Sequence, residues 1–206
     1  MMLLVGFLWD ADAAEPPLVD AASLIPNLQV ELKYSTTDNF LHRDVYGALS
    51  TCQLRQDAAT MLAAADAGLR AAHPELRLHA YDCARPHEVQ EQMWAVVKGT
   101  DQQGYVADPA AGSIHNFGCA IDLTLADSGG APLDMGTPFD FFGEAAQPRR
   151  ERDLLIRGTL TGAQVANRLL LREAMLRAGF LPLDHEWWHF DCAPSAEARR
   201  RYTMIP

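Results

Sequence analysis

The chain has 206 residues, 49% hydrophobic and 21% charged, with a formal net charge of −10; these are ordinary globular proportions, enough for the core of one domain. The negative balance leaves no broad basic face to neutralise phosphates and excludes a general nucleic-acid binder. No apolar run approaches the roughly 20 residues that cross a bilayer, so a soluble protein without a membrane-spanning helix is expected.

In chain order, Met1 to Trp9 form a short apolar run. Ala11-Asp12-Ala13 resembles a small-residue cleavage site, and Glu15-Pro16-Pro17 follows. That is the order of a secretory signal peptide, although no Lys or Arg precedes the apolar run. Residues 1–14 are read as a signal-peptide remnant, or alternatively as a disordered tail or ordinary N-terminal strand, and residues 15–206 as one domain. The first reading places the protein in the periplasm or outside the cell, the second in the cytoplasm.

From Leu54 a helical stripe runs through Ala58, Met61, Leu62, Ala65 and Leu69 until His73-Pro74 stops it. Leu76, Leu78 and Ala80 alternate with Arg77, His79 and Tyr81 as a strand that ends at Asp82-Cys83-Ala84-Arg85. Pro86 suits the first turn of a second helix carrying Val89, Met93 and Val96/Val97. Gly112 to Gly118 is loop-like. It leads into a strand in which Ile121, Leu123 and Leu125 alternate with Asp122 and Thr124, setting Asp122 away from the apolar set. Gly129-Gly130 turns the chain. Val165, Leu169 and Leu176 mark a third helix capped by Gly179, and Phe180 to Phe190 is extended or irregular. Helices and strands alternate irregularly, which indicates an α+β fold.

Cys52, Cys83, Cys119 and Cys192 contain no C-x-x-C pair, which argues against a structural zinc knuckle. In an exported protein one or two disulfides are expected, with all three full connectivities open; in a reducing compartment the cysteines are buried hydrophobes.

Three constellations carry chemistry. In Ser113-Ile114-His115-Asn116-Phe117-Gly118-Cys119-Ala120-Ile121-Asp122, a loop imidazole and a strand carboxylate are able to converge on one metal ion, or simply to hydrogen-bond each other. Glu186-Trp187-Trp188-His189 offers a base and a further ligand, the extra parts that a catalytic zinc requires. A spacing of three sends the two to opposite faces of a straight strand, so a turn or bulge is expected here, or a base that reaches the metal from its far side. The alternative is a core tryptophan pair flanked by surface polar groups. In Tyr81-Asp82-Cys83-Ala84-Arg85-Pro86, an arginine at a strand end is placed to meet an oxyanion, or else is occupied by Asp82.

The patterns S-x-H-x-x-G-x-A-x-D, E-W-W-H and Y-D-x-x-R-P, in this order along the chain R-P, H…D, E-W-W-H, resemble the zinc D-alanyl-D-alanine dipeptidases. Their wider superfamily holds the D-alanyl-D-alanine carboxypeptidases and hedgehog-type domains. The likeness runs from about Leu32 to Asp191. It includes Lys33-Tyr34-Ser35-Thr36-Thr37-Asp38-Asn39-Phe40 and Met135-Gly136-Thr137-Pro138-Phe139-Asp140. The resemblance implies a small, mostly antiparallel sheet with helices packed on it. It implies one zinc ion (Zn2+) per chain on His115, Asp122 and His189, with Glu186 as the base and Arg85 steadying the tetrahedral intermediate. Asp140 would hold the ammonium of a dipeptide substrate, with Ser113 and Tyr34 in the pocket, and Tyr46 lining it if a gap is allowed. His42, His73, His79, His87 and His185 are left out of ligation, His185 being the one rival. The resemblance also admits a zinc D,D- or L,D-carboxypeptidase acting on peptidoglycan stem peptides. It admits a non-catalytic zinc-bearing interaction domain as well, although such a domain has no need of Glu186 and Arg85 together.

Overall fold

A computed structural model of the chain describes residues 15–206; the expectation of a signal peptide or tail over residues 1–14 lies outside the described residues. Two strands, β1 (Leu18–Asp20) and β3 (Gln53–Arg55), pair antiparallel near the start. The main sheet is five-stranded. Its order is β2 (Gln29–Val30), β4 (Arg77–Asp82), β5 (Ala120–Ala126), β7 (His189–Asp191), β6 (Leu181–Pro182). Only β2–β4 is parallel. The helices are α1 (Gln56–Ala72), α2 (His87–Val97), α3 (Glu151–Ile156), α4 (Gly162–Arg177) and α5 (Ser195–Arg201). This is the α+β arrangement the sequence predicts, with a mostly antiparallel sheet. No helix among the described residues is long and apolar enough to cross a membrane.

One hydrophobic core joins α1 and α4 to the sheet. Ala58, Ala59, Leu62, Ala65 and Leu69 form the buried stripe of α1. Leu54, read above as the first helical residue, lies instead in β3, where it pairs with Val19 of β1; the helix begins two residues later. Pro86 likewise stands just before α2 with an extended ψ of 143°. Val97, not Val96, is the buried member of the adjacent pair.

The larger correction concerns α4. Leu169 and Leu176 are 50% and 49% exposed, and the buried face is Arg168, Leu171 and Met175. Arg168 reaches inward because its fork satisfies backbone carbonyls: Nε donates to Met135 O at 2.6 Å and Nη2 to Ala145 O at 3.0 Å. A charged residue thus occupies the place where an apolar one is expected, and it ties α4 to the long segment between β5 and α3. Gly179 closes the helix as expected, with φ 97°.

Every residue of β5 is buried. Ile121, Leu123 and Leu125 lie in the core and alternate with Asp122, which lines a cavity with Trp188, and Thr124, which lines a neighbouring hollow with Phe139 and Trp187. The β-ladder sets Asp122 opposite both Asp82 of β4 and His189 of β7, with a bulge between Ala80 and Asp82. Three polar residues therefore form one row across adjacent strands.

The cysteines pair as Cys52–Cys83 and Cys119–Cys192. The first joins the entrance of β3 to the exit of β4, the second the entrance of β5 to the exit of β7. Cross-linking that closes a loop of 73 residues restricts the unfolded chain, so Cys119→Ser with Cys192→Ser is expected to cost about 2–4 kcal/mol. Urea unfolding of the double variant at matched m-value measures this; an unchanged midpoint would contradict it.

Candidate metal centre and active site

The row across the sheet is completed by a loop. Ser113 caps a short 3-10 helix, Ile114–Phe117, in a capping box: its backbone N–H donates to Asn116 Oδ1 at 2.7 Å, and its hydroxyl accepts from His115 N at 3.4 Å. Gly118 ends the turn at φ 69°, where a Cβ would stand 2.7 Å from Leu18 Cδ2. Asn116 Nδ2 donates to Arg85 O at 2.9 Å, and Arg85 N to His115 O at 3.1 Å. These bonds lock the His115 loop against the Arg85 segment.

His115 Nε2, Asp122 Oδ1 and His189 Nδ1 converge, with separations of 3.1 Å between the two imidazoles, 3.3 Å from His115 to Asp122 and 2.9 Å from His189 to Asp122. Ligand atoms about 2.0–2.2 Å from a tetrahedral zinc lie about 3.3–3.6 Å apart, so this donor set fits such an ion after small outward shifts. The remaining ring nitrogens are engaged as a metal site requires. His115 Nδ1 lies 2.7 Å from Cys83 O, to which it donates, and His189 Nε2 lies 2.9 Å from Asp191 Oδ1. Each leaves a lone pair for the cation. Burial opposes charge on both partners. Even so, His115 and His189 hold Asp122 below the usual carboxylate range, and Asp191 and Asp122 raise His189 well above the usual imidazole value.

Around this triad lies a cavity of about 240 Å³. Glu186 stands on its wall just before the Trp187-Trp188 turn, so the expected turn delivers Glu186 and His189 to the same cavity. No hydrogen bond holds its carboxylate among the described residues, and burial pushes it up to about 7. Arg85 is fixed from behind. Its Nε and Nη2 donate to Asp82 Oδ2 at 3.0 and 2.6 Å, and Nη1 donates to Gln90 Oε1 at 2.7 Å. Two of the guanidinium's five N–H bonds are left for a ligand, and Nη2 is 4.0 Å from Asp122 Oδ2. The two sequence readings of this arginine are therefore compatible. Tyr34 OH donates to Asp140 at 3.0 and 2.9 Å. Although Asp140 opens partly to the cavity, burial pushes its carboxyl well above the ordinary range.

The sequence profile of the D-Ala-D-Ala dipeptidases matches residues 14–205. The chain belongs to that family. A D-alanyl-D-alanine dipeptidase of Escherichia coli is 38% identical over 179 residues, which cover 87% of this chain and 86% of that protein. Proteins of the same description from Enterococcus faecalis and Enterococcus faecium are 26% and 28% identical, each over 81% of this chain and 87% of their own length. As a member of this peptidase family the chain is a metallopeptidase, and its His/Asp/His group is the one metal-capable cluster found among the described residues.

All eight residues singled out in the sequence, namely Tyr34, Arg85, Ser113, His115, Asp122, Asp140, Glu186 and His189, line this one cavity of the dipeptidase-family fold. Tyr46 does not; its hydroxyl donates to Asp82 and braces the group that holds Arg85. His185 stays outside the triad, its Nε2 3.8 Å from Glu186 Oε1. The sequence reading overlooked Asp191 and Gln90. Asp191 was accessible to it, because alternate residues of a strand share a face and Asp191 is two positions after His189. Gln90, on the buried side of α2, gave no such signal.

One divalent cation per chain is expected, and His115→Ala, Asp122→Ala or His189→Ala should abolish its retention in metal analysis after dialysis. Asp191→Ala should weaken metal binding by about 10–100-fold without abolishing it; competition with a chelating dye measures the difference.

Proposed function

We propose that this protein is a zinc dipeptidase that hydrolyses D-alanyl-D-alanine-type dipeptides in cell-wall peptide metabolism. The observation that carries the proposal is the Tyr34–Asp140 pair, which faces the same small cavity as the metal triad and Glu186. A carboxylate held high by burial is stabilised when an ammonium group neutralises it, so the cavity demands a free amino terminus close to the bond that is cut. The curated relatives carry the same activity in their names.

Zinc on His115, Asp122 and His189 would supply Lewis acidity, polarising the scissile carbonyl and making water easier to deprotonate. Glu186 takes a proton from the attacking water as the new C–O bond forms. A carboxyl near neutrality both accepts and returns protons efficiently, and burial places Glu186 at about 7. As the carbonyl π electrons move onto oxygen, the two free N–H bonds of Arg85 meet the developing charge. Asp82 and Gln90 already orient them, so little reorganisation is needed at that moment. Glu186 then delivers the proton to the amide nitrogen, the C–N bond breaks, and two amino acids leave. Asp140 and Tyr34 hold the ammonium throughout. We further propose that the protein is exported, because two disulfides favour an oxidising compartment; sequencing the amino terminus of the protein isolated from its cells tests this.

Glu186→Gln keeps the shape but cannot accept the proton, so zinc should be retained while kcat falls about 10²-fold or more. Near-normal turnover would require a different base.

Acetylating the dipeptide's amine leaves Asp140 unpaired, and kcat/KM should fall by roughly 10²-fold for the wild type. Asp140→Asn should erase most of that preference. Equal or faster cleavage of the acetylated dipeptide by the wild type would instead favour a carboxypeptidase.

A further inference from the structure

A zwitterionic dipeptide brings a carboxylate as well as an ammonium, and its carboxylate needs a cation that the chemistry does not already use. The cavity wall offers few. Arg85 is matched by Asp82 and turned toward the reacting carbonyl. His185 stands beside the base, its Nε2 3.8 Å from Glu186 Oε1, where a second carboxylate would be repelled. The remaining cationic side chain on the wall is Arg199 of α5.

Arg199 is held by neutral groups: Nε donates to Ala111 O at 2.9 Å and Nη2 to Gly112 O at 2.8 Å. Three of its five N–H bonds are uncommitted. No carboxylate among the described residues lies within ion-pair distance of it, in a chain with ten more acidic than basic residues. Its position fits as well. Contacts run from Asp140 through Tyr34 to Arg85, whose guanidinium lies 5.3 Å from the Tyr34 ring centre, and on to Asp122 and His115. From His115 the backbone leads back through Ser113 to Gly112, where Arg199 is bound. Asp140, Ser113, the metal triad and Arg199 thus line one cavity, linked by these contacts.

Building on the dipeptidase reading, we infer that Arg199 is the specificity residue that receives the substrate's terminal carboxylate beside Ser113. The N–H bonds it spends on Ala111 and Gly112 aim the free edge of the fork, and a planar fork matches a carboxylate better than an ammonium does.

The test compares zinc-loaded wild type, Arg199→Ala and Arg199→Lys on D-alanyl-D-alanine and on its C-terminal amide. Wild type should prefer the free acid. Arg199→Ala should raise KM for the free acid about tenfold, with kcat within about twofold and the amide unaffected, and Arg199→Lys should fall between. Equal losses on both substrates would show that Arg199 only braces the Gly112 loop and would overturn the inference. So would a wild type indifferent to amidation. Failure of the wild type to cleave either substrate would remove the dipeptidase reading itself, and the inference with it.

Discussion

The carboxylate of Asp82 is fully enclosed at the end of β4, and a charge so placed survives only when the fold supplies its partners. Here one oxygen takes the Tyr46 hydroxyl and the Cys83 N–H, and the other takes two N–H bonds of Arg85. Removing one member of such a buried pair costs about 3–5 kcal/mol, because the survivor is left charged and dry. The arrangement thereby fixes the direction of Arg85, and the rest of the site is assembled around that direction: Asn116 binds the Arg85 carbonyl, and the Arg85 N–H binds the His115 carbonyl.

The sheet then sets the spacing. Asp82, Asp122 and His189 lie opposite one another on three neighbouring strands, so lateral distance is governed by the ladder and not by loops. Both disulfides close on this row, one beside Asp82 through Cys83 and the other across the strands that carry Asp122 and His189. Cys83 serves twice, since its carbonyl also orients the His115 ring. Rigid strands and cross-links are what a metal centre needs if its ligands are to stay close together before the ion arrives.

Residue types alone leave each of the three constellations open to a plainer reading; it is their resemblance to the dipeptidase patterns that joins them into one metal site, while β5 is visible in its own alternation. The parts that escaped depend on distant partners. Nothing near Arg168 in sequence announces the carbonyls of Met135 and Ala145 that draw it inward, so the α4 stripe was assigned to leucines that face solvent. The pairing of the four cysteines depends on strand order, which composition does not contain. Leu54 was placed in a helix because its apolar period continues into α1, whereas pairing with Val19 draws it into a strand.

Asp140 combines two demands that conflict. Its backbone is left-handed, at φ 59°, a conformation that costs a residue with a Cβ about 1–3 kcal/mol and that glycine adopts freely. Its side chain, however, is the carboxylate bound by Tyr34. If Asp140 holds the substrate ammonium as proposed, backbone ease and substrate recognition pull in opposite directions at this position. A glycine arising there by drift would relieve the backbone but leave the buried Tyr34 hydroxyl without its partner, and would blind the protein to the amino end of its substrate. Aspartate's persistence at this site would then record more than backbone ease, and its loss in a descendant would be an early mark of a change in diet.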